Sequence, residues 1–300
     1  MICVNRSIRT PEEGAAFVAL CDQNFEYRLG KLVRETVHRE NLESITLSGP
    51  TCSGKTTAAR KLIEEINASG KVAKVFSIDD FYKNRADMPV VDGRVDLDSI
   101  ASIDVDYLRY CVDRMLRELP ATLPRYSFHT GTRVGTYEYT CTPNDILVFE
   151  GIQAIYPEVT ALFDGHVHDS IYIAVMDDIT VNGVFFSANE VRLARRIVRD
   201  FRFRSAAPDL TLELWQGVRD NEDKNIFPHV GSCRHVINSL QPYELFMLAQ
   251  FAVPLLQRVP ESSPYAADAA ALCEKLSQLS GNDIDPACLP VNSIYHEFLG

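Results

Sequence analysis

The eight residues Gly49-Pro50-Thr51-Cys52-Ser53-Gly54-Lys55-Thr56 constrain what this chain can fold into more than any other stretch. They match G-x-x-x-x-G-K-[ST], in which glycines let backbone N–H groups converge on an anion and a following helix aims its positive end at it. The flanks agree with that reading. Ser44 to Ser48 reads as a short strand, Lys55 to Ala68 as a helix stopped by Gly70, and Val72 to Ile78 as a second strand. Strand, loop, helix and strand in quick succession make a βαβ unit and hence a parallel sheet. The alternative is an ordinary glycine turn, which would need neither the lysine nor the threonine. Lys55 is expected to reach the β- and γ-phosphates of a triphosphate, and the Thr56 hydroxyl to hold Mg²⁺, within a cradle running from Gly49 to Thr57.

Further strands are expected at Ile146–Phe149 and Ile171–Val175. Helices are expected near 22–40, 105–116, 192–202, 210–218, 243–251 and 266–279. Alternation over this length predicts a three-layer α/β core. The boundaries read from the sequence are an N-terminal segment and helix to 43, a nucleotide-binding domain over 44–258, and an acidic helical tail over 259–300. No run approaches a membrane span, and the start shows no signal peptide. A formal charge of −11 argues against a nucleic-acid or membrane-surface partner, so anion binding must come from a local basic patch. Eight cysteines, none within four residues of another, fit reduced thiols in a cytoplasmic protein rather than zinc or redox motifs.

A triphosphate site serves several classes of protein. No Asn-Lys dipeptide and no D-x-x-G occur, which argues against a GTPase switch. The strand Ile146-Leu147-Val148-Phe149 ends in the single acid Glu150 before Gly151, unlike an Asp-Glu motor signature. Glu150 is expected to orient Mg²⁺ or its water, with a surface ion pair as the alternative. A phosphotransferase remains, and it needs a base for the acceptor hydroxyl. Ser77-Ile78-Asp79-Asp80-Phe81-Tyr82 puts carboxylates at the carboxyl edge of the sheet, where Asp79 could take the proton; both aspartates could instead only start a turn. Arg192, Arg195, Arg196, Arg199 and Arg202 fall within an arc of about 120° on one helix. They suggest a clamp on the transferred phosphoryl group, against the alternative of a solvated basic face.

Together these motifs resemble those of the uridine kinase and phosphoribulokinase family of P-loop kinases. Lys224-Asn225-Ile226-Phe227-Pro228 and Asn238-Ser239 add a likeness to a bacterial uridine kinase-like branch. The resemblance implies a P-loop kinase fold with a central parallel sheet and an arginine-bearing helical lid over about 189–225. It implies ATP as donor, Mg²⁺, and a nucleoside as small-molecule acceptor, and leaves a homo-oligomer open. By the same resemblance Asp79 is the catalytic aspartate, and Arg192 and Arg195 are lid contacts to substrate and phosphate. Arg196 and Arg199 join the nucleotide contacts. Tyr82, Asp96, Tyr126 and Phe128 fall on the substrate side, Asp96 toward a ribose hydroxyl and the two aromatics beside the base. Core packing is the alternative for the aromatics, and Asp98 reads as a helix cap. The family's base-reading histidine would fall at Gly131, so His129, shifted by two, is the nearest substitute. The expected activity is phosphorylation of a nucleoside 5′-hydroxyl. The alternatives are a kinase of another small hydroxylated metabolite, phosphoribulokinase- or pantothenate kinase-like, or a nucleotide-binding regulatory protein.

Overall fold

The computed structural model describes every residue except Asp92, Asp283 and Gly300, and only the backbone of Arg94. Five strands form the central sheet: β1 (Ser44–Ser48), β2 (Val72–Ser77), β3 (Asp145–Glu150), β4 (His168–Ala174) and β5 (His235–Asn238). The longer helices are α1 (Pro11–Val37), α2 (Lys55–Ala68), α3 (Val105–Leu116), α4 (Ala188–Arg204), α5 (Pro208–Asn221), α6 (Glu244–Leu256) and α7 (Ala266–Ser277).

The sheet runs in the order β5-β4-β1-β3-β2 and every pairing is parallel. β1 is buried along its whole length because it has a neighbour on each side and helices on both faces. The carboxyl ends of β1, β2 and β3 therefore lie side by side at one edge, where the topology reverses and where such sheets bind ligands. One apolar cluster fills the face under α1, α2, α4 and α6, and it includes Val4 and Ile8 as well as Tyr295, Phe298 and Leu299. Segments 1–43 and 259–300 thus share a core with the sheet. A second cluster, around Phe76, Phe81, Leu108, Met115 and Phe149, packs α3 beneath an antiparallel hairpin, Ala121–Ser127 with Thr132–Tyr139.

Local sequence explains the element that matters most to the site. α4 begins with a capping box: Ser187 accepts from the Glu190 N–H while the Glu190 carboxylate accepts from the Ser187 N–H. α5 runs into a single π-helical turn at Glu222–Ile226, a local insertion that re-aims Glu222 toward α4. The sequence reading missed the hairpin, strand β5 and the first eleven residues of α1. The hairpin carries no two-residue turn signature, and β5 is only four residues long. Among the described residues no helix is long and apolar enough to cross a membrane.

Candidate active site

The phosphate loop is shaped by two glycines that tolerate no side chain. A Cβ at Gly49 would lie 2.2 Å from the Ile173 carbonyl oxygen, and one at Gly54, where φ is +96°, 2.1 Å from Ile294 Cδ1. Cys52 also takes the left-handed conformation, at φ +58°, a strained choice that such loops use to turn N–H groups inward. Gly54 starts α2 with no side-chain cap. Ser53 Oγ is buried with no hydrogen-bond partner. Lys55 Nζ donates back to the Gly49 carbonyl at 2.7 Å. Close backbone approach, inward donors and an orphaned hydroxyl are the surroundings that a chain of phosphates fits.

Asp79, Glu150 and Lys55 meet across the strand ends and line one cavity of about 660 Å³ with Thr51 to Thr57, Arg60, Arg199 and Arg204. Burial pushes the Asp79 carboxyl up to about 6, the Glu150 carboxylate adds to this, and Lys55 acts against it. Burial lowers the Lys55 ammonium, opposed by Glu150, Asp79 and Glu297. The two adjacent aspartates separate by role. Asp80 accepts from the Tyr126 N–H at 3.0 Å and so fastens the hairpin, whereas Asp79 faces the cavity. Among the described residues there is no cage of three or more His, Cys, Asp or Glu. The Thr56 hydroxyl and the Glu150 carboxylate are nonetheless oxygen donors suited to Mg²⁺, which keeps waters and leans on substrate phosphates.

The residues expected on the acceptor side form a separate group that does not line that cavity. Tyr82, Tyr126 and Phe128 are mutually in contact, with ring centroids 5.3 to 5.6 Å apart. Tyr82 and Tyr126 are largely covered, while Phe128 is 49% exposed. The Tyr82 hydroxyl donates to the Leu97 carbonyl and accepts from Gln153 Nε2. Gln153 is buried, and its Oε1 has no partner. Asp96 caps a turn, accepting from the Asp98 and Ser99 N–H groups. Asp98 adds a smaller share than Glu150 and Asp80 to the field on Asp79, and is itself raised to about 6 by burial and then by Asp96, with Arg196 lowering it. Neither Gln153 nor Asp98 was singled out for the site from sequence; a two-residue ambiguity in an irregular loop hides the second. His129 is exposed in the hairpin turn, and at Gly131 the Arg85 side chain lies where a side chain would go.

The arginine face requires correction, because α4 buries three of the five guanidiniums expected on an open surface. Arg195 is 0% exposed, held bidentately by Glu244, and donates to the Cys52 carbonyl at 3.1 Å. Arg192 is 2% exposed, paired with Glu222, and donates to the Thr51 carbonyl at 3.3 Å. Arg196 pairs with Asp200 and stacks on Trp215. The helical wheel could not anticipate carboxylates brought in from α6 and from the π-turn. Arg192 and Arg195 brace the loop from behind through its carbonyls. Arg199, which also holds Thr51 Oγ1 at 3.0 Å, reaches the cavity, as does Arg204, which the sequence reading had not chosen.

A phosphate loop on the middle strand, a carboxylate on the next strand end and cations from a capped helix define a P-loop phosphotransferase. The model of the Phosphoribulokinase / Uridine kinase family matches residues 44–244, and the chain belongs to that family of kinases. It is 28% identical over 173 residues to a uridine kinase of Deinococcus deserti, covering 57% of this chain and 74% of that protein. A uridine kinase of Halobacterium salinarum is also 28% identical, over 159 residues, 52% of this chain and 62% of the relative. A Bacillus stearothermophilus structure described as a possible uridine kinase aligns with TM-score 0.42 and 21% identity, over 50% of this chain and 80% of that one.

Proposed function

We propose that this kinase transfers the γ-phosphoryl group of ATP to the 5′-hydroxyl of a nucleoside, with Mg²⁺. The observation that carries the reading is the position of Asp79: it faces the phosphate-loop cavity, while Tyr82, three residues on, joins the aromatic group. A hydroxyl beside Asp79 loses its proton to the carboxylate as its oxygen bonds to the γ-phosphorus. The bond from that phosphorus to the β,γ-bridging oxygen breaks, and ADP leaves. Lys55 and the loop N–H groups meet the charge that develops on the leaving oxygens, and Arg199 and Arg204 offer cations from the facing side. Thr56 and Glu150 would hold Mg²⁺, which supplies charge neutralisation across the phosphates.

Two observations bear on the acceptor. Arg133 spends its Nε and Nη2 on the Phe81 and Tyr82 carbonyls and on Asp104, which makes it a poor candidate to hold a second phosphate on a sugar. The exposed face of Phe128 suits a flat base, and Asp98 suits ribose hydroxyls. With Gly131 under Arg85, base selection is expected to differ from that of a strict uridine and cytidine kinase. A panel of ribonucleosides, deoxyribonucleosides, ribulose 5-phosphate and pantothenate, read by ADP release and product mass, tests this. Exclusive turnover of a non-nucleoside would overturn the substrate reading, and strong preference for uridine and cytidine over all purines would overturn the altered selectivity.

A further inference from the structure

The segment 293–299 showed no pattern in the sequence, yet it sits on the phosphate loop. Glu297 Oε1 accepts from the Thr57 N–H at 2.6 Å and from the Thr57 hydroxyl at 2.7 Å. Ile294 lies against Gly54, and Arg60 donates to the Asn292 carbonyl at 2.7 Å. Tyr295 and Phe298 lie against the Arg195 guanidinium, 5.5 and 5.0 Å from ring centroid to carbon. Ser293, His296, Glu297 and Phe298 form part of the wall of the cavity that Lys55 and Asp79 share.

Thr57 is in the first turn of α2, whose N–H groups the loop aims at phosphates. An ionised carboxylate on that N–H makes a short, charge-assisted bond of the kind a phosphate oxygen would make. Both anions cannot hold the same donors at once, and Glu297 already contributes to the field on Lys55. We propose that Glu297 is an internal phosphate mimic, and that 293–299 is a self-inhibitory strap which a nucleoside triphosphate must displace from Thr57. The buried rings of Tyr295 and Phe298 anchor the strap from below, so displacement moves the carboxylate and its backbone rather than the whole segment.

This proposal rests on the loop being the ATP site, and it is tested by binding rather than turnover. Calorimetry of ATP with Mg²⁺ is run on the unaltered chain, on Glu297→Gln and on Lys55→Ala. Glu297→Gln preserves shape and removes the competing charge, and tightens ATP about tenfold. Unchanged or weaker affinity in that variant overturns the strap while leaving the donor site intact. Absence of ATP binding in all three chains overturns the donor site, and the strap with it. Amide hydrogen exchange on the unaltered chain gives a second readout that needs no variant to fold. Addition of a non-hydrolysable ATP analogue with Mg²⁺ is expected to protect 49–57 and to speed exchange in 293–299. Protection of both segments together would make 293–299 a fixed wall of the site and overturn the proposal.

Discussion

Lys55 and Asp79 line the same cavity, and each has a distinct testable effect. Lys55→Ala removes the charge facing the developing β,γ-bridging oxygen and is expected to lower turnover on the order of 10²-fold or more; near-normal rates would place the chemistry elsewhere. Asp79→Asn keeps the shape but cannot accept a proton, so ATP affinity should persist while turnover falls by roughly 10²-fold. Asp80→Ala, which removes the acceptor of the Tyr126 N–H, should instead loosen the hairpin, reading as lost stability. With its carboxyl raised to about 6, Asp79 passes from mostly protonated to mostly ionised around that pH. The kcat/KM profile should rise with an apparent pKa near 6, and the Asp79→Asn variant should lose that limb. The folded carboxyl lies above its ordinary 3.8, so the folded chain binds the extra proton between roughly pH 4 and 6. Stability contributed by this group is present at low pH and lost as pH rises through that window. The pair of aspartates was legible from sequence because it follows a strand directly. Their division of labour was not, since the hairpin N–H that claims Asp80 arrives from 46 positions away.

The helix α4 shows where a periodic pattern misleads. Five arginines on one arc are consistent with an open face or with buried pairs, and only the partners decide between them. Glu222, Glu244 and Ser239 are supplied by other elements, so no local window contains them. Removing one member of a buried pair leaves the other uncompensated, at a cost of about 3–5 kcal/mol. Arg195→Ala is therefore expected to lose that much stability in urea titrations, with activity falling because the chain unfolds. Arg199→Ala should lose under about 1 kcal/mol while turnover drops roughly tenfold or more. If the two variants reverse these effects, Arg195 touches phosphate and the bracing role is wrong. By contrast, α2 and β1 were read correctly to the residue, because the glycine-bounded loop fixes the end of one and the start of the other, and Gly70 stops the helix.

At the scale of the whole molecule, the three-layer core and the parallel sheet were legible from the alternation of strands and helices. The closing of the chain upon itself was not: segment 293–299 ends in a single helical turn, His296–Leu299, too short for its apolar residues to show a period. Ligand binding to the assembled site should raise the melting temperature by several degrees with ATP and Mg²⁺ at about 100 times Kd, equivalent to about 2.7 kcal/mol. The Lys55→Ala chain should show little of that shift in the same thermal scan.

The contact between Gly49 and the Ile173 carbonyl also sets a timetable. Every ladder of the sheet joins segments far apart in the chain, such as Ser44 with His168. The strand that carries the phosphate loop is made early and must wait for β4 to back it. At about 5–20 residues per second, the ribosome leaves that loop without its support for on the order of ten seconds. A nascent chain released before β4 emerges would hold every residue of the motif and be unable to grip a phosphate. Competence to bind nucleotide is thus a late property of synthesis, gained only once the distant half of the sheet exists.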